Sequence, residues 1–96
     1  MSEFPFTEEK ISEEVFVRVF ADNVESGELV WHRDREDRII ESIGESNWKI
    51  QLDNELPQEL NRPIFIPMGI YHRLIKGDGE LKLKVIKKHQ ESNTTK

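Results

Sequence analysis

Two stretches hold the residues able to do chemistry. The first, "HRDRED", sets a histidine before six consecutive charged residues, Arg33 to Arg38, between apolar runs that read as ordinary strands. The second, "PMGIYH", has Pro67, Gly69 and His72 in the spacing P-x-G-x-x-H. Residues at i and i+2 of a strand share one face, so His32 and Asp34 would project together. Pro67 is suited to end a strand and Gly69 to allow a tight bend, which would bring His72 out at the start of the next strand. Imidazole and carboxylate are donors for divalent transition metals. They also serve as hydrogen-bonding and ion-pairing groups, and the alternating signs of Arg33, Asp34, Arg35, Glu36, Asp37 and Arg38 suit a mutually paired ladder as well.

The elements that would position these groups are mostly strands. "EVFVRVFA" is rich in Val and Phe, which pack well on a pleated surface, and "NVESGE" follows as a turn. "LVWH" and "RIIESI" read as extended segments on either side of the charges, and "GESN" turns the chain into "WKIQLD", where Trp48, Ile50 and Leu52 alternate with polar residues. "NELPQELNRP" reads as a connection. "IFIP", "IYHRLI" and the run from Leu81 to Ile86 complete the set, with "KGDGE" a hairpin turn. Helical signal is confined to "TEEKISEEV", where Thr7 is placed to cap a short acidic turn. Seven or eight short strands in 96 residues predict an all-β sandwich or barrel. We divide the chain into an N-terminal segment (1–13), a barrel domain (14–88) and a polar tail (89–96).

Composition narrows the function. With 35% hydrophobic and 34% charged residues, the chain supports one modest core. A net charge of −5 opposes attraction to phosphate backbones and anionic lipids, so neither nucleic acid nor membrane is expected as a partner. The alternating lysines of "LKLKVIKKHQ" read as the solvated face of a strand. The absence of cysteine removes disulfides and thiolate chemistry and suits a reducing compartment. The start, "MSEFPFTEEK", has no secretory pattern, and a soluble cytoplasmic protein is expected.

The two stretches together resemble the paired motifs of the cupin superfamily. Pro67, Gly69 and His72 match the second motif, G-x5-P-x-G-x-x-H-x3-N, with Asn61 at its first glycine and Lys76 at its final asparagine. "HRDREDRIIESIG" is similar to a degenerate first motif, G-x5-H-x-H-x3or4-E-x6-G. His32 stands at its first histidine, Asp34 at its second, Asp37 near the acidic position and Gly44 at the closing glycine. The insert is about one residue short, and Gly27 lies one residue too close to His32.

The resemblance spans Leu29 to Ile86. It implies a single cupin-type β-barrel, a double-stranded β-helix or jelly roll, with a small-molecule site at its mouth. In such a barrel His32, Asp34 and His72 would converge, with Asp37 or Glu36 as a fourth donor. That set suits Fe, Mn, Ni or Zn as divalent ions. Arg38 would pair with Asp34 or clamp an anionic ligand, with Glu36 beside it facing the ligand. Two functions follow: a metal-dependent protein acting on or binding a small polar molecule, or a metal-free barrel that binds a ligand or protein without catalysis. The aromatic N-terminal stretches "FPF" and "VFVRVF" further suggest a homodimer formed through the N-terminal strand.

Overall fold

A computed structural model describes residues 4–88, and the polar tail assigned from the sequence lies outside the described residues. Eight strands run in chain order: β1 (Thr7–Lys10), β2 (Val15–Phe20), β3 (Asp37–Ser42), β4 (Lys49–Leu52), β5 (Gln58–Glu59), β6 (Ile64–Ile66), β7 (His72–Ile75) and β8 (Leu81–Lys88). One short 3-10 turn, Ser26–Glu28, lies between β2 and β3. The strands form a five-stranded sheet in the order β1-β2-β8-β3-β6 and a three-stranded sheet in the order β5-β4-β7. Every pairing is antiparallel.

Alternation within the strands decides what each sheet buries. Leu81, Leu83 and Val85 of β8, Ile64 and Ile66 of β6, and Ile50 and Leu52 of β4 point into one core. Trp48, Leu60 and Phe20 close it. Trp48 is fully buried and donates Nε1–H to the Gly79 carbonyl at 3.1 Å, which satisfies the indole at the end of the core. Phe65 faces away from Ile64 and Ile66, as the period of two requires. Val15, Val17 and Val19 likewise lie opposite Phe16, Arg18 and Phe20.

Three segments depart from the sequence reading, one of them Gln58–Glu59, which lies in the stretch read as a connection but pairs with β4 as strand β5. "TEEK" is a strand, because its backbone completes β2: Thr7 pairs with Val19 and Lys10 with Phe16. All four residues are exposed, so the segment carries no apolar alternation by which to read it. "LVWH" is not a strand. Within it only His32 forms a bridge, to His72.

Candidate metal centre

His72 follows the turn that its motif implied. Gly69 adopts φ +83°, the Ile70 N–H donates to the Pro67 carbonyl at 3.2 Å, and β7 begins two residues later. The chain carrying Asp34 is tied to the same turn, because the Gly69 N–H donates to the Asp34 carbonyl at 3.0 Å. His32 and His72 exchange both backbone hydrogen bonds, at 3.0 and 2.8 Å. Their rings therefore meet edge to face, with centroids 4.3 Å apart.

Each imidazole is oriented the same way. His32 Nδ1 lies 3.2 Å from the Val30 carbonyl and His72 Nδ1 lies 2.9 Å from that of Ile70. A carbonyl only accepts, so both Nδ1 atoms carry the proton and donate. In the neutral rings this leaves both Nε2 lone pairs bare, the orientation in which metal-binding histidines are held. Asp34 completes the group: one donor atom from each of His32, Asp34 and His72 lies within 4.8 Å of the other two.

Asp34 Oδ2 is the least satisfied atom of the group. It sits 3.2 Å from His72 Nε2 but is not aligned with it as a hydrogen bond. Among the described residues it is the buried side-chain polar atom with no hydrogen-bond partner. Such an orphan is costly unless a charge satisfies it. Its other oxygen, Oδ1, lies 3.3 Å from Arg38 Nη2.

The electrostatics of His32 and Asp34 favour their proton-free forms. His32 is exposed by surface area, but partial desolvation of its ring lowers the pKa, as does the neighbouring His72, against the opposing pull of the Val30 hydrogen bond and of Asp34. Burial works against ionisation of Asp34, but the contact with His72 and the charges of Arg38 and both histidines outweigh it and hold the carboxyl below its usual range.

The remaining expected residues are placed differently. Asp37 lies outside the group: its Oδ1 accepts the Met68 N–H at 2.7 Å. The reason is alternation, since Arg38 turns inward at the start of β3 and its neighbour must turn away. Glu36 is also outside the group. It binds Arg38 Nε at 2.6 Å, so Arg38 is held between two carboxylates. Tyr71 and Arg73 flank His72 on the opposite face, where the Arg73 guanidinium lies 4.8 Å from the ring of the half-exposed Trp31.

The three donors line one end of a cavity of about 470 Å³ between the two sheets. Sequence reasoning missed Arg18, Phe4 and Phe6, which also line it. A signal was present in "FVRVF": an arginine between two inward phenylalanines shares their face. Among the described residues, no helix is long and apolar enough to cross a membrane.

No protein-family model and no curated protein matches the chain. Solved structures do resemble it. The DMSP lyase DddQ from Ruegeria pomeroyi DSS-3 superimposes with a TM-score of 0.69 at 14% identity, over 92% of this chain and 49% of that one. The chain thus spans about half the length of that lyase. An RmlC-like cupin with a double-stranded β-helix fold from Methanocaldococcus jannaschii gives 0.62 at 16% identity, covering 85% of this chain and 78% of its own. A cupin domain from Bordetella pertussis Tohama I gives 0.57 at 20% identity, over 91% and 97% respectively. At these identities the likeness concerns the fold, and it agrees with the motif pair and with the two antiparallel sheets facing one core: the protein has the double-stranded β-helix fold of the cupins.

Proposed function

We propose that this protein binds a divalent transition metal through His32, Asp34 and His72 and uses the adjoining cavity to hold a small molecule beside it. The observation that carries this reading is the buried Asp34 Oδ2, 3.2 Å from His72 Nε2 without an aligned hydrogen bond, beside two imidazoles whose Nδ1 atoms are already committed. Two histidines and a carboxylate suit Fe, Mn, Ni or Zn. A metal bound there supplies Lewis acidity and coordination positions open to a small molecule. The chain's own contribution is orientation. Val30 and Ile70 fix the two rings, and the His72 contact together with the Arg38 charge favours the ionised form of Asp34.

Isothermal titration with Mn(II), Ni(II) and Zn(II) tests the reading. Wild type should bind at least one of these tightly, and the double variant His32→Ala/His72→Ala should bind none. Equal affinity in both proteins would refute the site and favour the metal-free ligand-binding barrel.

We also propose that the homodimer expected through the N-terminal strand forms instead through the outer face of the larger sheet, because Phe6 packs against the core and Phe4 lines the cavity. Val15, Ile86, Ile39 and Phe65 are successive cross-strand partners on that face, forming an apolar row across four strands. Phe65 is 54% exposed at the end of the row. A continuous outward apolar row suits association better than solvent.

A further inference from the structure

The expected ligand of this cavity was polar, but its walls are not. Away from the metal-binding end it is lined by Leu29, Ile40, Ile50, Ile66, Leu74 and Val85, with Phe4 and Phe6 at the N-terminal side. A sugar-like molecule would lose its hydration there with few partners in return. A compact apolar body suits this lining, and the volume leaves ample room for one.

Besides Arg38, a second arginine lines the wall. Arg18, on β2 between Phe16 and Phe20, points inward with a side chain only 14% exposed. Its Nε binds Glu8 at 2.6 Å and its guanidinium lies 4.2 Å from the centre of the Phe6 ring. Among the described residues its terminal nitrogens have no hydrogen-bond partner. Glu8 is shared, because Lys87 Nζ is also 3.9 Å from the same carboxylate oxygen. Arg18 and Lys87 therefore share one carboxylate. Arg38 is in the opposite state, bound by both Asp34 and Glu36. Of the two arginines in the cavity, Arg18 has donors to offer. Glu28 also lines the rim, but it is exposed and its charge is screened by solvent.

We infer that the cavity takes an amphipathic carboxylate, a compact apolar body whose single carboxylate is received by the terminal N–H groups of Arg18. Guanidinium and carboxylate match in geometry, and the Phe6 ring beneath Arg18 continues into the apolar wall, so head and body are recognised side by side. The inference rests on the proposal that this cavity is the ligand site, and it names the ligand class.

Three probes of similar length separate its parts: hexanoate, hexanol and gluconate. Each is titrated calorimetrically into the full chain, metal-free and saturated with Zn(II). Hexanoate should bind at least about tenfold tighter than hexanol, which lacks the charge, or gluconate, which lacks the apolar body. Arg18→Gln should remove the advantage of hexanoate over hexanol, and an unchanged circular dichroism spectrum shows that the variant is folded. Leu29→Asn should weaken hexanoate and hexanol alike by several-fold. Gluconate equal to hexanoate, or hexanoate unaffected by Arg18→Gln, overturns the inference. Zn(II) bound with gluconate preferred sinks this ligand class and leaves the metal centre standing. Absence of Zn(II) binding with hexanoate still preferred sinks the metal centre and supports the ligand class.

Discussion

His32 and His72, forty residues apart, form a reciprocal backbone pair with hydrogen bonds of 3.0 and 2.8 Å, and this pairing sets their rings 4.3 Å apart. The geometry is main-chain in origin, so the two imidazoles are brought together before any ligand arrives. Asp34 is added by a second main-chain tie, from its carbonyl to Gly69. The donor group is thus held by backbone hydrogen bonds on two sides of one turn.

The placement of the acidic residues separates their roles. Asp34→Ala should weaken metal binding by more than about a hundredfold, exceeding the effect usual for groups that merely support a ligand. Asp37→Ala should leave metal affinity within a few-fold and instead lower stability by about 1 kcal/mol, since the Met68 N–H loses its acceptor. Titration calorimetry together with urea denaturation reads both effects.

Acid should act on the metal-free protein through the same residues. His32 has a folded-state pKa below its ordinary 6.5, so the unfolded chain binds more protons as pH falls. Its contribution to stability is therefore fully present above about 6.5 and is lost as pH drops through the lower folded value. Asp34, depressed below 3.8, contributes in the same direction in a more acidic window. Urea midpoints measured from pH 7.5 to 5 should fall, and the fall should be shallower in His32→Ala. With metal bound, acidification should also release it, because a protonated imidazole cannot coordinate.

The hairpin closing the core tolerates no added methyl at Gly77. A Cβ there would meet the Asn47 side chain and lie 2.7 Å from the Asn47 carbonyl carbon and the Trp48 nitrogen. The backbone cannot yield locally, because Asn47 and Asp78 are joined by two hydrogen bonds, at 3.0 and 2.7 Å. Gly77→Ala should cost about 1–3 kcal/mol, the usual range for overpacking. A lowered denaturation midpoint with unchanged slope is the expected reading.

The apolar row on the outer sheet face gives a test of assembly. Ile39→Asp or Phe65→Asp should convert a dimer to a monomer in sedimentation equilibrium, with metal affinity unchanged because both side chains face away from the cavity. A wild-type monomer at high micromolar concentration would refute the pairing.

The sequence by itself determined the period-two strands, the bend at Pro67 and Gly69, and the emergence of His72 at the start of the next strand. Those features are local: alternation fixes which residues share a face, and a glycine at positive φ is readable from its neighbours. It could not show that Thr7–Lys10 is a strand, because an exposed edge strand is formed by its partner's backbone and not by its own side chains. Nor could it tell which of Asp34, Glu36 and Asp37, within four residues of one another, lies beside the two histidines. That choice depends on where the chain stops bridging β7 and begins β3, and so on hydrogen bonds to residues more than thirty positions away. Arg18 follows the same logic. Its inward direction was legible, but only the tertiary structure set Glu8 between it and Lys87 and left its terminal donors facing the cavity, since charge balance belongs to the assembled site.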